Sequence, residues 1–169
     1  MVMHHQNITS RPGFTLVEIL VVVVILGFAA MIVVPQVSNA GTLTIQAAAR
    51  RIIADLLVAQ NEAIARGLPR AVVFDAENER YRLTDEAGTT VEMSWMNGPY
   101  LVDFIADTRF QGVTIAAASF AGSGTVTFDD LGTPSSGGTI DLISGTTRYR
   151  ITVAPFTGRV TVAPISEGI

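Results

Sequence analysis

The sequence predicts an α+β fold: one long N-terminal helix, a transmembrane stalk and then an amphipathic half, packed on an antiparallel β-sheet head. Three observations carry that expectation. An apolar run, FTLVEILVVVVILGFAAMIVV, passes into a stretch of helical periodicity that ends near Gly67. Beyond Gly67 come short β-rich runs broken by Gly, Ser, Pro and Asp. No second long helix is signalled, and strands that do not alternate with helices imply antiparallel pairing.

The apolar run covers residues 14–34, and at about 1.5 Å rise per residue a helix of that length spans roughly 31 Å, the thickness of a bilayer's hydrocarbon core. Its polar residues are Thr15 and Glu18, both near the start. The run reads as a transmembrane helix. A secretory signal peptide has a shorter apolar region, and its cleavage site is followed by polar chain, whereas here the helical pattern continues. The flank MVMHHQNITSR carries the amino terminus and Arg11 and no acid, which places the first residues in the cytoplasm and the chain after Pro35 outside.

Residues 35–67 form the second half of the same helix. Pro35 marks an expected kink, with fraying as far as Gly41. Ile45, Ala49, Ile52, Ile53, Leu56, Ala59, Ala63 and Ile64 then recur at threes and fours, with Arg50, Asp55, Glu62 and Arg66 placed elsewhere around the helix. Gly67 and Pro69 stop it, the glycine as a left-handed cap and the proline as a residue that cannot continue the ladder.

Residues 68–169 form the head. RAVVFD and ERYRLT flank a turn at Ala76 to Asn78 and predict a hairpin, and TVEMSWM, GTVTF, GTIDLI, TRYRITV and GRVTVA are further strands. That makes about seven strands in one domain, in keeping with the length left after the helix.

Composition excludes much chemistry. The chain has no cysteine, so it has no disulfide framework and no thiol nucleophile. Its basic residues are eleven arginines with no lysine, which rules out Schiff-base and P-loop lysines. Both histidines, His4 and His5, precede the apolar run, so the head has neither a Ser-His-Asp triad nor a histidine metal site. A net charge of −4 lacks the basic excess of a dedicated nucleic-acid binder. No catalytic residue, cofactor or metal is implied. Asp129 and Asp130 read as a solvated turn in preference to a calcium site, Asp103 and Asp107 fix no cleft for acid/base work, and Trp95 reads as core or rim packing in preference to a partner anchor. Arg148 and Arg150 share a strand face that Arg159 could extend on the next strand. A charged edge resisting strand-to-strand aggregation is favoured there over contact with DNA phosphates.

GFTLVE, with Gly13 directly before Phe14 and Glu18 four residues after it, resembles the prepilin-type cleavage and methylation motif of type IV pilins and type II secretion pseudopilins. IIADLLVAQNEAIARGLPRAVVF and the carboxy-terminal segment ending FTGRVTV are similar to the GspH/FimT group. The resemblance implies a leader peptide at 1–13, cut between Gly13 and Phe14 by a prepilin peptidase that also methylates the new Phe14 amine. It implies that Glu18 meets the Phe14 amine of a neighbouring subunit and sets the register of a helical assembly. The plainer reading of Glu18 is a first-turn acid complementing the helix dipole. The resemblance further implies a minor pseudopilin of the H type, structural and non-enzymatic, near the tip of the periplasmic pseudopilus of a type II secretion system. It would sit in the inner membrane as a single-pass protein with its C-terminal head in the periplasm. Its expected partners are the prepilin peptidase, the other major and minor pseudopilins, the inner-membrane assembly platform and membrane lipid. A minor type IV pilin that primes pilus assembly or contacts DNA is the first alternative, and a membrane-tethered binding domain the second.

Overall fold

The structure, a computed structural model, describes residues 13–165 apart from Asn97, with the backbone alone for 31–40. The expected leader lies outside the described residues, Gly13 excepted. The chain divides into two compact units, residues 1–39 and 40–169. Helix α1, Leu16–Arg66, is continuous in its backbone from the first into the second. The kink expected at Pro35 falls among residues whose side chains lie outside the described ones.

At the far end of α1 the predicted cap is present. Gly67 takes φ +61°, its N–H donates to the Ile64 carbonyl at 3.3 Å and the Leu68 N–H to the Ala63 carbonyl at 3.2 Å. That pair of bonds satisfies carbonyls that the helix end leaves open.

Beyond α1 the second unit holds eight strands: β1 Arg70–Asp75, β2 Arg80–Thr84, β3 Leu101–Asp103, β4 Thr114–Phe120, β5 Thr125–Phe128, β6 Gly138–Ser144, β7 Thr147–Val153 and β8 Val160–Pro164. They form two four-stranded antiparallel sheets, ordered β3-β2-β1-β5 and β4-β6-β7-β8. The α+β architecture is as the sequence predicts, but the strands divide between two sheets where one was expected.

Two strands escaped the sequence pattern. TIAAASF, which forms β4, is alanine-rich and poor in β-formers, so pairing with β6 overrides its local preference. The three residues of β3 are too few to show alternation. TVEMSWM, conversely, is not a strand: it carries only isolated bridges, Thr84 with Thr90 and Glu92 with Pro99, because the chain turns back where the Met96 N–H donates to the Met93 carbonyl.

One core joins all of this. Ile45, Ala48, Ala49, Ile52, Leu56, Ala59 and Ala63 bury one face of α1, and four alanines among them let strands approach the helix closely. Val72, Phe74, Tyr81, Leu83, Val126 and Phe128 face inward from the first sheet, and Ile115, Phe120, Ile140, Leu142, Ile151 and Val153 from the second. Ile64, placed by periodicity on the core face, is half exposed. Asp55, placed by periodicity among the outward polar residues, is a correction of the opposite sign: it is 4% exposed.

Candidate functional site

The GFTLVE motif lies at the first turn of α1. Thr15 precedes the helix, and its Oγ1 accepts from the Glu18 N–H at 3.2 Å, while its carbonyl accepts from the Ile19 N–H at 3.2 Å. Thr15 therefore caps a helix end whose first N–H groups have no partner within the helix. Gly13 and Phe14 lie outside the helix, ahead of it, and Phe14 is 79% exposed. Glu18 sits in the first turn, where the helix dipole favours an anion. Among the described residues its carboxylate has no partner.

Every large apolar side chain described from Phe14 to Phe28 is exposed, Phe14, Leu16, Val17 and Ile19 among them. A surface of that kind needs a neighbour other than water. Among the described residues no helix is long and apolar enough to cross a membrane, and the end of the run falls among side chains outside them.

Inside the head, a polar cluster that the sequence did not reveal holds α1 to the first sheet. Asp55 Oδ2 accepts from the Tyr81 hydroxyl at 2.6 Å and from Arg51 Nε at 2.9 Å, and its Oδ1 accepts from the Tyr100 hydroxyl at 2.7 Å. Both tyrosines are 1% exposed. Burial and then the Asp55 charge push the Tyr81 hydroxyl well above its ordinary pKa; burial and the hydrogen bond to Asp55 do the same for Tyr100. Arg51 loses charge stability to burial, yet Asp55 outweighs that and its pKa ends higher than usual. No motif could have found the cluster, because its members come from α1, from β2 and from the loop before β3.

The other sequence candidates are resolved individually. Arg150 stands opposite Asp141 in the β6–β7 register and donates to it twice, at 2.7 Å each, and that bonding raises the Arg150 pKa. Arg148 is on the same outward face of β7. Arg159 precedes β8, its carbonyl accepting from the Ala154 N–H, so it lies about 20 Å along β7 from Arg148. The three arginines do not converge. Asp129 Oδ1 accepts from the Leu131 and Thr133 N–H groups, and Asp103 Oδ1 from those of Ile105 and Ala106, so both build turns. Asp107 binds Arg109, whose hydrogen bonds hold its carboxyl below the usual range. Trp95 is 62% exposed and meets the Tyr100 ring edge-on at 5.7 Å.

Trp95 also borders a surface groove of the head, about 600 Å³, with Met96, Leu101 and Val102 as further apolar lining and Arg51, Arg109, Asp103 and Asp107 as charged lining. The arrangement offers binding surface and turn geometry.

Comparison with known proteins agrees with this geometry. Residues 48–158 match the family Type II transport protein GspH, and residues 9–34 match the prokaryotic N-terminal methylation motif. Two solved structures of the minor pseudopilin EpsH from the type II secretion system of Vibrio cholerae are similar in fold. One has TM-score 0.54 at 15% identity, covering 72% of this chain and 94% of that one; the other has TM-score 0.53 at 13% identity, covering 70% and 95%. The type IV minor pilin FimU of Pseudomonas aeruginosa aligns with TM-score 0.49 at 16% identity, over 70% of this chain and 87% of that one. No curated protein matches the chain. With the methylation motif ahead of an α+β head whose match spans most of its length, the chain belongs to the GspH family of type II transport proteins, a family of structural pseudopilins.

Proposed function

We propose that the protein is a minor pseudopilin built into the periplasmic pseudopilus of a type II secretion system. The observation that carries this reading is the order of two matches on one chain: the methylation motif at 9–34, then the GspH match at 48–158. On this reading a prepilin peptidase cuts between Gly13 and Phe14 and methylates the new amine. Residues 14–34 anchor the chain in the inner membrane, the head stands in the periplasm, and the assembly platform and the other pseudopilins draw it into the filament. Support comes from the exposed apolar side chains of α1 and from the exposure of Gly13 and Phe14 ahead of the helix. Glu18, whose carboxylate has no partner among the described residues, pairs with the Phe14 amine of a neighbour. In a low-dielectric bundle each of those charges is costly without the other.

The test is the intact mass of the full chain recovered from membranes that contain the cognate peptidase. Residues 14–169 plus one methyl group is the expected product. Uncut chain, or a cut after a small residue near Ala40, would overturn the reading.

A further inference from the structure

Each four-stranded sheet has two outer strands, and the backbone groups that such a strand turns away from its ladder need partners or water. Three of the four outer strands have partners within the chain. On β3 the Leu101 N–H donates to the Pro99 carbonyl, and the Asp103 carbonyl accepts from the Asp107 N–H. On β5 the Thr127 N–H donates to Ser135 Oγ, and the Thr127 carbonyl accepts from the Ser135 N–H. On β4 the Ile115 N–H donates to the Glu79 carboxylate, and Phe120 exchanges both backbone bonds with Ser123.

The fourth outer strand, β8, is open. The Ile165 N–H donates to the Arg148 carbonyl and the Ala154 N–H to the Arg159 carbonyl, so the alternate residues between them, Thr161 and Ala163, also turn their backbone towards β7. Val160, Val162 and Pro164 therefore turn theirs outward, and among the described residues nothing bonds to them there. Pro164 fits this assignment, since it has no N–H and stands where β7 requires none. The edge offers the N–H groups of Val160 and Val162 and the carbonyls of all three residues.

Beside that edge the core runs out. Val160 and Val162 stand opposite Val153 and Ile151, both buried, so they share the core face of the second sheet. Val162 is nevertheless 42% exposed, and between it and α1 lies a recess of about 230 Å³ lined by Gln46, Ala49, Arg50, Tyr149 and Val162. Gln46 Nε2 donates to the Tyr149 hydroxyl at 3.1 Å, so those two polar groups are already paired. Arg50 is exposed, and its guanidinium has no partner among the described residues. A further strand laid along β8 places every second side chain over this recess, where one side chain fits and a carboxylate meets Arg50.

We propose that β8 takes up an extended segment of another protein chain, which adds a fifth strand to the second sheet and directs a carboxylate at Arg50. Backbone bonds to Val160, Val162 and Pro164 hold the segment as a strand, and the recess beside Arg50 selects its side chain. The occupant is not the β8 of a second copy: that strand contains no acid for Arg50, and its Pro164 has no N–H to donate across the pairing. The proposal goes beyond the function given above and does not depend on cleavage at Gly13, because Arg50 and β8 both lie within residues 40–169.

The test fuses a strand after Ile169 of the full-length chain through a flexible glycine-serine linker of about twelve residues, which holds the strand at high effective concentration. The strand reads valine, threonine, glutamate, threonine, valine. Amide exchange at Val160 and Val162 is expected to slow about tenfold, about threefold when lysine replaces the glutamate, and not at all when proline replaces it. Arg50→Gln should bring the glutamate and lysine strands to the same value. No slowing with the glutamate strand, or equal slowing by the two strands in the chain that keeps Arg50, would overturn the proposal. The natural occupant is read in the cell's own membranes with Ala163→Cys carrying a photo-crosslinker, which the absence of cysteine confines to that position. The expected adduct joins a different protein chain, falls about tenfold when the glutamate strand is fused, and persists with the proline strand. An adduct with another copy alone, one indifferent to the fused strand, or no adduct would equally overturn it.

Discussion

Asp55 shows how much one residue can carry. Its two oxygens satisfy two buried hydroxyls and a guanidinium, so truncation leaves three polar groups without a partner. Asp55→Ala is expected to destabilise the head by about 3–5 kcal/mol in urea titration, whereas Asp55→Asn, which can still accept from one tyrosine, should cost less. The raised tyrosine pKa values set a pH dependence. Above about pH 10 the unfolded chain loses these phenolic protons while the folded one retains them, so stability falls with a slope of about 1.4 kcal/mol per pH unit for each tyrosine. Tyr81→Phe should remove half of that slope, as read from melting temperature between pH 9 and 11. The cluster was illegible in the sequence because Asp55 lies 26 and 45 residues from its tyrosines, and helical periodicity alone places it among solvated charges. Glu18 stands out in the sequence only because the letters around it form a motif. On the proposed reading Glu18→Leu is expected to insert and to be cut normally, yet to lose crosslinking to neighbouring subunits. Normal crosslinking would reduce Glu18 to a first-turn acid complementing the dipole.

Elements were legible where their local chemistry agreed with the fold. The helix stop at Gly67, the β1–β2 hairpin and the strands from β5 to β8 all follow from punctuation and alternation visible in the chain. β4 did not, since its alanines specify nothing and its place comes from β6 across the ladder. That ladder has one tight point. A Cβ on Gly138 would land on the ring of Phe120, its partner across from β4, and on the carbonyl of the neighbouring Ser119. Gly138→Ala is expected to destabilise the head by about 3 kcal/mol or more, because backbone cannot yield as a flexible side-chain tip does. Gly145→Ala, with φ +58° and open space around it, should cost only about 1 kcal/mol. The comparison of the two by urea denaturation separates crowding from backbone strain.

For the whole molecule, the buried core begins at Ile45 among the described residues, and the exposed apolar side chains of α1 cluster before it. A chain of residues 40–169 is expected to be soluble and β-rich by circular dichroism, and mostly monomeric when dilute in sedimentation; an insoluble or unfolded product would mean that the first unit completes the core. The helix-plus-strands plan was readable in advance, whereas the division into two sheets was not, because which edges meet depends on pairings between strands far apart in sequence. The polar contacts of α1 link these sheets in a way that matters under load. Gln46 donates to the Tyr149 hydroxyl on the second sheet, Asp55 receives both tyrosines of the first, and Gln60 clamps two turns. They lie along about 21 Å of one rod. A pull along that rod shears all three attachments together instead of peeling them one at a time, so slippage by a single helical turn requires every one to break in the same event. The head is in that sense a grip, able to pass axial force from its helix into both sheets without first giving way at either end.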